Sequence, residues 1–149
     1  MTMTLPMPLP VRVALLGSGE LGKEVTIALQ RYGCTVIACD SYGNAPAMQV
    51  ADQSRVFDMS DPAALSAVLD ESDVDLIVPE VDAIATDCLS ASEERGVRVV
   101  PNAFAVKATM DRQRIRTLAA SLPGVRTPAV RFEHSAAALA AALEEIGEP

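Results

Sequence analysis

Apolar and polar positions along this chain switch between two periods, and each switch marks an element. Val11 to Leu16 is a short aliphatic and β-branched run, which reads as a buried strand. It leads into Gly17-Ser18-Gly19-Glu20-Leu21-Gly22, after which Leu21, Val25, Ala28, Leu29 and Tyr32 recur at helical spacing. Gly33 stands where that helix should stop, and Thr35 to Asp40 resumes as a nearly continuous apolar strand. Arg55 to Phe57 reads as a weaker third strand. Asp61 and Pro62 then supply a carboxylate cap and a first-position proline for a helix whose buried stripe is Ala64, Leu65, Val68 and Leu69. Asp75 to Pro79 is expected as the fourth strand, Ile84 to Arg95 as the next helix with Gly96 as its stop, and Arg98 to Val100 as the fifth strand.

Strands that alternate with helices over short connections argue for an α/β fold with a doubly wound parallel sheet. Right-handed crossovers then favour the strand order 3-2-1-4-5, which makes strands one and four neighbours at the switch point. From Asn102 the character changes. The first 110 residues carry 7 basic and 15 acidic residues, whereas the last 39 carry five of each, so a subdomain edge is expected near residue 110. Arg112, Arg114, Ile115, Arg116, Leu118 and Ala119 read as a helix, Thr127 to Phe132 as an extended segment, and Ser135 as the cap of an alanine-rich helix running to Ile146. Gly147-Glu148-Pro149 reads as a helix stop turning toward a strand that the sequence does not contain. The expectation is therefore the front part of a longer protein, divided into a flexible leader over 1–10, a domain over 11–110, and the start of a second domain over 111–149.

Composition narrows the function classes. Half of the 149 residues are hydrophobic and 21% are charged, which excludes disorder for most of the chain. A formal net charge of −8 disfavours general nucleic-acid binding, because cationic side chains supply that affinity. Aromatic residues are 3% and Trp is absent, so base-stacking platforms are also disfavoured. Asp, Arg or Gly breaks each apolar stretch within about ten residues, short of the ~20 that span a bilayer, so no membrane association is expected. Met1 to Pro10 has three prolines and no basic residue, unlike a secretory signal, and the cytoplasm is the expected compartment. Cys34, Cys39 and Cys88 are an odd number; Cys34 and Cys39 flank a strand with opposite orientations, and all three read as reduced apolar residues. With His134 the only histidine and no Cys-x-x-Cys spacing, no metal site is expected.

The candidate chemistry starts at the glycine segment. Gly17, Gly19 and Gly22 have G-x-G-x-x-G spacing in a strand-turn-helix context, where glycines permit close backbone approach and the helix N-terminus favours anionic or polar groups. Asp40, eighteen residues after Gly22, stands where a dinucleotide enzyme places its ribose-binding acid. Spacing alone leaves open nicotinamide or flavin binding and a turn that merely lets helix and strand pack. Glu20 shifts the balance, since a carboxylate at the start of the helix would repel a bound diphosphate. Glu80 follows Val78-Pro79 at the end of strand four, beside strand one, so both acids should border one crevice and favour an amine or hydroxyls.

Three separated runs carry a family resemblance: Leu15 to Glu24, Asn44 to Ala51, and Val78 to Asp87. Together with Val99-Val100-Pro101, Lys107-Ala108-Thr109-Met110 and the helix from Arg112 to Ala120, they resemble the formate-dependent phosphoribosylglycinamide formyltransferases of the ATP-grasp superfamily. The related carboxyaminoimidazole ribonucleotide synthases share a glycine turn but usually have Gln where Glu20 stands. Two readings of different classes stay open beside these: a small dinucleotide-binding domain and a non-catalytic interaction domain.

The resemblance implies a Rossmann-like pre-ATP-grasp domain over 11–110, followed by a linker helix and the beginning of an ATP-grasp domain. It implies that Glu20, Leu21 and Glu80 bind glycinamide ribonucleotide. Arg112 would reach ATP through a guanidinium suited to phosphate oxygens, although Asp111 stands before it where Asn is common. The implied reaction uses ATP and Mg²⁺ to make formyl phosphate from formate, which the ribonucleotide amine then attacks in purine biosynthesis. Neither a catalytic residue nor a metal ligand of that reaction is implied within these residues. A cytoplasmic homodimer acting on glycinamide ribonucleotide, formate and ATP is the further implication.

Overall fold

The first strand, β1 (Arg12–Leu16), has four fully or nearly fully buried aliphatic residues in a row, as a strand covered on both faces requires. The structure, a computed structural model, describes residues 8–147. Most of the expected leader and the last two residues of the expected C-terminal stop lie outside that range. From β1 the chain runs through α1 (Glu20–Arg31), β2 (Thr35–Asp40), a 3₁₀ turn (Pro46–Gln49), β3 (Gln53–Val56), α2 (Pro62–Ser72), β4 (Leu76–Pro79), α3 (Thr86–Glu94) and β5 (Arg98–Val99). Three helices follow: α4 (Ala103–Met110), α5 (Arg112–Ser121) and α6 (Ala136–Ile146).

All strand pairs are parallel and their order is β3-β2-β1-β4-β5, the doubly wound arrangement expected from the alternation of elements. In register, Leu16 faces Cys39 on one side and Pro79 on the other. The ends of β2, β1 and β4 are therefore level, and whatever follows each of them emerges at one edge. Val11, Val13, Leu15, Val36, Ala38 and Ala47 form one core cluster, with Val25 and Leu29 of α1 packed against it.

Helix α1 is rotated relative to its expected apolar stripe: Val25 and Leu29 pack toward the core, but the rest of the stripe does not. Gly22 and Thr26 are its buried residues, whereas Leu21 is 62% exposed, Tyr32 76% exposed, and Ala28 is also not buried. Two local facts explain the rotation. A β-carbon on Gly22 would stand 2.8 Å from the Gly17 carbonyl oxygen, so the helix seats its glycine directly on the turn. Thr26 can be buried because its hydroxyl donates to the Gly22 carbonyl at 2.9 Å.

Smaller differences have equally local causes. Helix α3 starts at Thr86 rather than Ile84, because the Ile84 amide is turned to Asp82 and the Ala85 amide donates to Met59 across the loop. The third strand lies at Gln53–Val56, on the exposed edge of the sheet, instead of Arg55 to Phe57. Helix α4 and the 3₁₀ turn carry no strong periodic signal in the sequence. Thr127 to Phe132, expected to be extended, pairs with no strand among the described residues; Pro128 within it lacks the amide a ladder needs.

Asp61 caps α2 by accepting from the Ala63 amide, and Ser135 caps α6 by accepting from the Ala138 amide. The chain divides into two compact units, one ending at Val106 and the other beginning at Lys107. In the second unit, α5 buries no residue and α6 only Ala142. No helix among the described residues is long and apolar enough to cross a membrane. Cys34, Cys39 and Cys88 are free; burial pushes the Cys39 thiol up to about 12.

Candidate functional site

The three glycines of the turn are not equivalent. Gly17 combines a φ of +112° with a lack of space: a β-carbon there would lie 2.5 Å from Glu80 Oε2 and 2.6 Å from Val81 Cγ1. Gly22 is required by its contact with the Gly17 carbonyl. Gly19, the residue preceding α1, has a φ of −68° and open space where a β-carbon would project. Nothing among the described residues demands a glycine at that position, so the opening lies on the solvent side of the turn.

The sheet edge explains why Glu80 reaches Gly17. The Leu16 carbonyl, at the end of β1, accepts from the Glu80 amide at 2.8 Å and from the Val81 amide at 3.3 Å. This pair of hydrogen bonds to one carbonyl folds the end of β4 over the glycine turn and sets the half-buried Glu80 carboxylate against it. Gly17 and Glu80 are thus brought together across 63 positions of sequence. Glu20, the first residue of α1, is exposed at the same edge, and Leu21 beside it is exposed as well.

Ser18 is wholly buried and each of its polar groups is occupied. Its amide donates to Asp40 Oδ2 at 2.8 Å, its hydroxyl to the Cys39 carbonyl at 3.0 Å, and its carbonyl accepts from the Ala47 amide at 2.9 Å. The Gly17 amide donates to the Cys39 carbonyl at 3.0 Å. The front of the turn is therefore already satisfied by protein. No side chain caps α1, whose first-turn amides have no partner within the helix, so acceptance of a ligand's polar groups falls to the stretch from Gly19 onward.

Asp40 does not take the role its spacing imitates. It is buried, with Oδ2 on the Ser18 amide and Oδ1 on the Ser41 amide at 2.7 Å, so its carboxylate points into the protein rather than at a ribose. With Glu80 against Gly17 and Glu20 at the helix start, a diphosphate placed on this turn would meet two carboxylates. Hydroxyls or an amine would find acceptors there instead.

The Asn44 to Ala51 run, to which the sequence alone gives no role, supports the turn from behind. Asn44 takes a positive φ of 59°, Pro46 opens the 3₁₀ turn, and Ala45 and Ala47 are fully buried, which brings the Ala47 amide to Ser18. Lys23 and Gln49 approach one another at 3.5 Å beside it.

Arg112 lies in the second unit as the exposed first residue of α5. Asp111, where the family resemblance implies Asn, caps that helix: its Oδ1 accepts from the Gln113 amide at 2.9 Å and the Arg114 amide at 3.0 Å. Asp and Asn are about equally good caps, so this departure does not disturb the local structure. Among the described residues there is no grouping of three or more His, Cys, Asp or Glu that could hold a metal ion.

Comparison with known proteins agrees with this fold. Formate-dependent phosphoribosylglycinamide formyltransferase of Synechococcus sp. strain CC9311 is 51% identical over 140 residues, a match covering 94% of this chain and 36% of that protein. The solved structure of glycinamide-RNase-transformylase T from Mycobacterium tuberculosis superposes with a TM-score of 0.83 at 43% identity, covering 93% of this chain and 40% of the other. N5-carboxyaminoimidazole ribonucleotide synthetase from Thermotoga maritima shares the fold, with a TM-score of 0.79 at 22% identity over 93% of this chain and 37% of its own. The chain thus spans little more than a third of the length of the relatives it matches. Residues 11–110 match the family described as the ribonucleotide synthetase preATP-grasp domain, and the chain belongs to that family.

Proposed function

We propose that this chain contributes the ribonucleotide-binding crevice of a formate-dependent phosphoribosylglycinamide formyltransferase. The observation that carries the reading is the Glu80 carboxylate set against Gly17 at the sheet edge where Glu20 and Leu21 are exposed. An edge bordered by two carboxylates and an uncapped helix start offers acceptors to an amine and to hydroxyls, and donors to a carbonyl. Glycinamide ribonucleotide has all of these groups. On this reading Glu20 and Glu80 accept from its amine and ribose hydroxyls, Leu21 lays an apolar face against it, and Gly19 lets it approach the backbone.

In the reaction so proposed, ATP phosphorylates formate, the ribonucleotide amine attacks the formyl phosphate, and phosphate leaves. Holding the amine near a reactive acyl phosphate accounts for much of the rate in such chemistry, because orientation replaces a bimolecular encounter. Residues 111–149 are then the linker helix and the opening of the ATP-grasp domain, with the Arg112 guanidinium directed at nucleotide phosphate. The reading includes Mg²⁺ with the ATP, a homodimer and a cytoplasmic location. The described residues offer no ligand set for Mg²⁺, so no metal ligand is assigned to them.

Glu80→Gln tests the reading. In the enzyme it should weaken glycinamide ribonucleotide binding and leave ATP affinity nearly unchanged. A change confined to ATP would overturn the assignment.

A further inference from the structure

The Ser18 hydrogen bonds raise a question that the crevice alone leaves unanswered: what holds the ligand-facing stretch Gly19-Glu20-Leu21 in place? We infer that Asp40 is a positioning residue, whose inward carboxylate bolts Ser18 and so aims the backbone of Gly19 to Leu21 at the ligand. The inference rests on the ribonucleotide reading for the identity of that ligand. Asp40 ends β2, and its two carboxylate oxygens serve different segments. Oδ2 holds the Ser18 amide of the glycine turn, while Oδ1 holds the Ser41 amide at the start of the loop that leads to the 3₁₀ turn. That loop returns to Ser18 from the other side, through the Ala47 amide on the Ser18 carbonyl.

Ser18 is therefore gripped at both its amide and its carbonyl: Asp40 holds the amide, and the Ala47 amide, at the end of the loop that starts beside Asp40, holds the carbonyl. The residue following it is unconstrained on its outer side, since Gly19 has open space above it and provides no side-chain cap to α1. The orientation of the first-turn amides depends on the residue before them. Carboxylate acceptors hold amides more firmly than neutral ones, which suits a bond that must stay made when a ligand pulls on the far side of the turn. Asp40 touches no ligand on this account; it acts through Ser18.

The test compares wild type with Asp40→Ala, Asp40→Asn and Leu65→Ala. Leu65 is a fully buried residue of α2, outside the crevice, and its truncation destabilises the fold without touching the turn. Three quantities are read from each protein: the melting temperature, the hydrogen-exchange protection of the Ser18 amide by NMR, and the affinity for glycinamide ribonucleotide by calorimetry. In Asp40→Ala, Ser18 exchange should accelerate on the order of a hundredfold and ribonucleotide affinity should fall roughly tenfold. Asp40→Asn retains one acceptor oxygen, so affinity should be kept if Ser18 stays protected and lost if the oxygen goes to Ser41 instead. Leu65→Ala should lower the melting temperature and leave affinity unaltered.

Affinity that follows Ser18 protection across the set, whatever the melting temperature, is the expected result. Affinity that follows melting temperature, or that is unchanged when Ser18 protection is lost, overturns the inference. Should Asp40→Ala not fold, Asp40→Asn is judged by the same criterion. If no protein binds the ribonucleotide, wild type included, the functional reading has failed. Exchange then decides the role of Asp40 by itself: loss of protection confined to residues 17–21 in an Asp40 variant upholds it, and unchanged Ser18 protection refutes it.

Discussion

Glu80 and Gly17 are so close that the turn has no room for a β-carbon, which would stand 2.5 Å from the carboxylate oxygen. The consequence is a strict order of tolerance along the glycine segment. Gly17→Ala forces both an unfavourable φ and a displacement of Glu80, and should cost about 1–3 kcal/mol of stability. Gly19→Ala meets open space and ordinary dihedral angles, and should change stability little while weakening ribonucleotide binding by obstructing the approach to the backbone. Thermal melts and titrations on the two variants check this. Equal losses of stability would mean that Gly19 is fixed by packing rather than by a ligand.

Gly22→Ala sets two effects of similar size against each other. Alanine inside a helix is favoured over glycine by about 1 kcal/mol, whereas overpacking costs about 1–3 kcal/mol. The obstacle is a backbone carbonyl 2.8 Å away, which cannot swing aside as a side chain could. The clash should win, lowering the melting temperature and separating α1 from the turn. A melting temperature at or above that of wild type would show that α1 can shift outward at no cost.

How much of the fold and the crevice is readable in the sequence differs by element. The sheet order, the α2 stripe around Leu65 and Leu69, and the caps at Asp61 and Ser135 follow from local periodicity and cap chemistry, which tertiary contacts here reinforce. The face of α1 is only partly readable: Val25 and Leu29 of its stripe pack against the core while Leu21 and Tyr32 are exposed, because Gly22 seats on the Gly17 carbonyl and the stripe rule takes no account of a missing β-carbon. Gly17, Gly19 and Gly22 look equivalent as a motif and are not. The demand on Gly17 comes from Glu80 and Val81, more than sixty residues away. Asp40 is the clearest case: its spacing fits a ribose acid, and only the position of the Ser18 amide reveals that its carboxylate is already in use.

Two exposed acids tie stability to pH. Asp52 is held below the usual carboxylate range chiefly by the Val36 amide at 2.8 Å and then by Gln30, and Asp58 chiefly by the Ser60 hydroxyl and then its amide. A carboxyl whose folded pKa is depressed contributes stability that is fully present above its unfolded value, near ~3.9, and is lost as pH falls through the folded value. The melting temperature should therefore be level above about pH 5 and fall below about pH 4, and Asp52→Asn should flatten that fall. An identical acid slope in the variant would show that Asp52 plays no part in it.

The thiols should separate by burial. Cys39 is fully buried, its pKa pushed up to about 12, and Cys88 is also buried, whereas Cys34 is partly exposed. Thiolate is the reactive form, so a maleimide at neutral pH should label Cys34 first, and the other two only under denaturing conditions. Mass spectrometry of the labelled peptides reads the order. Early labelling of Cys39 would contradict the closed packing of β2 beneath the turn.

The most direct test of the central claim is calorimetric titration of wild type and Glu20→Gln with glycinamide ribonucleotide and, separately, NADH. A crevice bordered by Glu20 and Glu80 predicts saturable ribonucleotide binding, no NADH heat from either protein, and a ribonucleotide constant weakened roughly ten- to hundredfold in the variant, since removing a charged hydrogen-bond partner typically costs ~1.5–3 kcal/mol. NADH binding that strengthens when the Glu20 charge is removed, with no ribonucleotide binding in either protein, would contradict it.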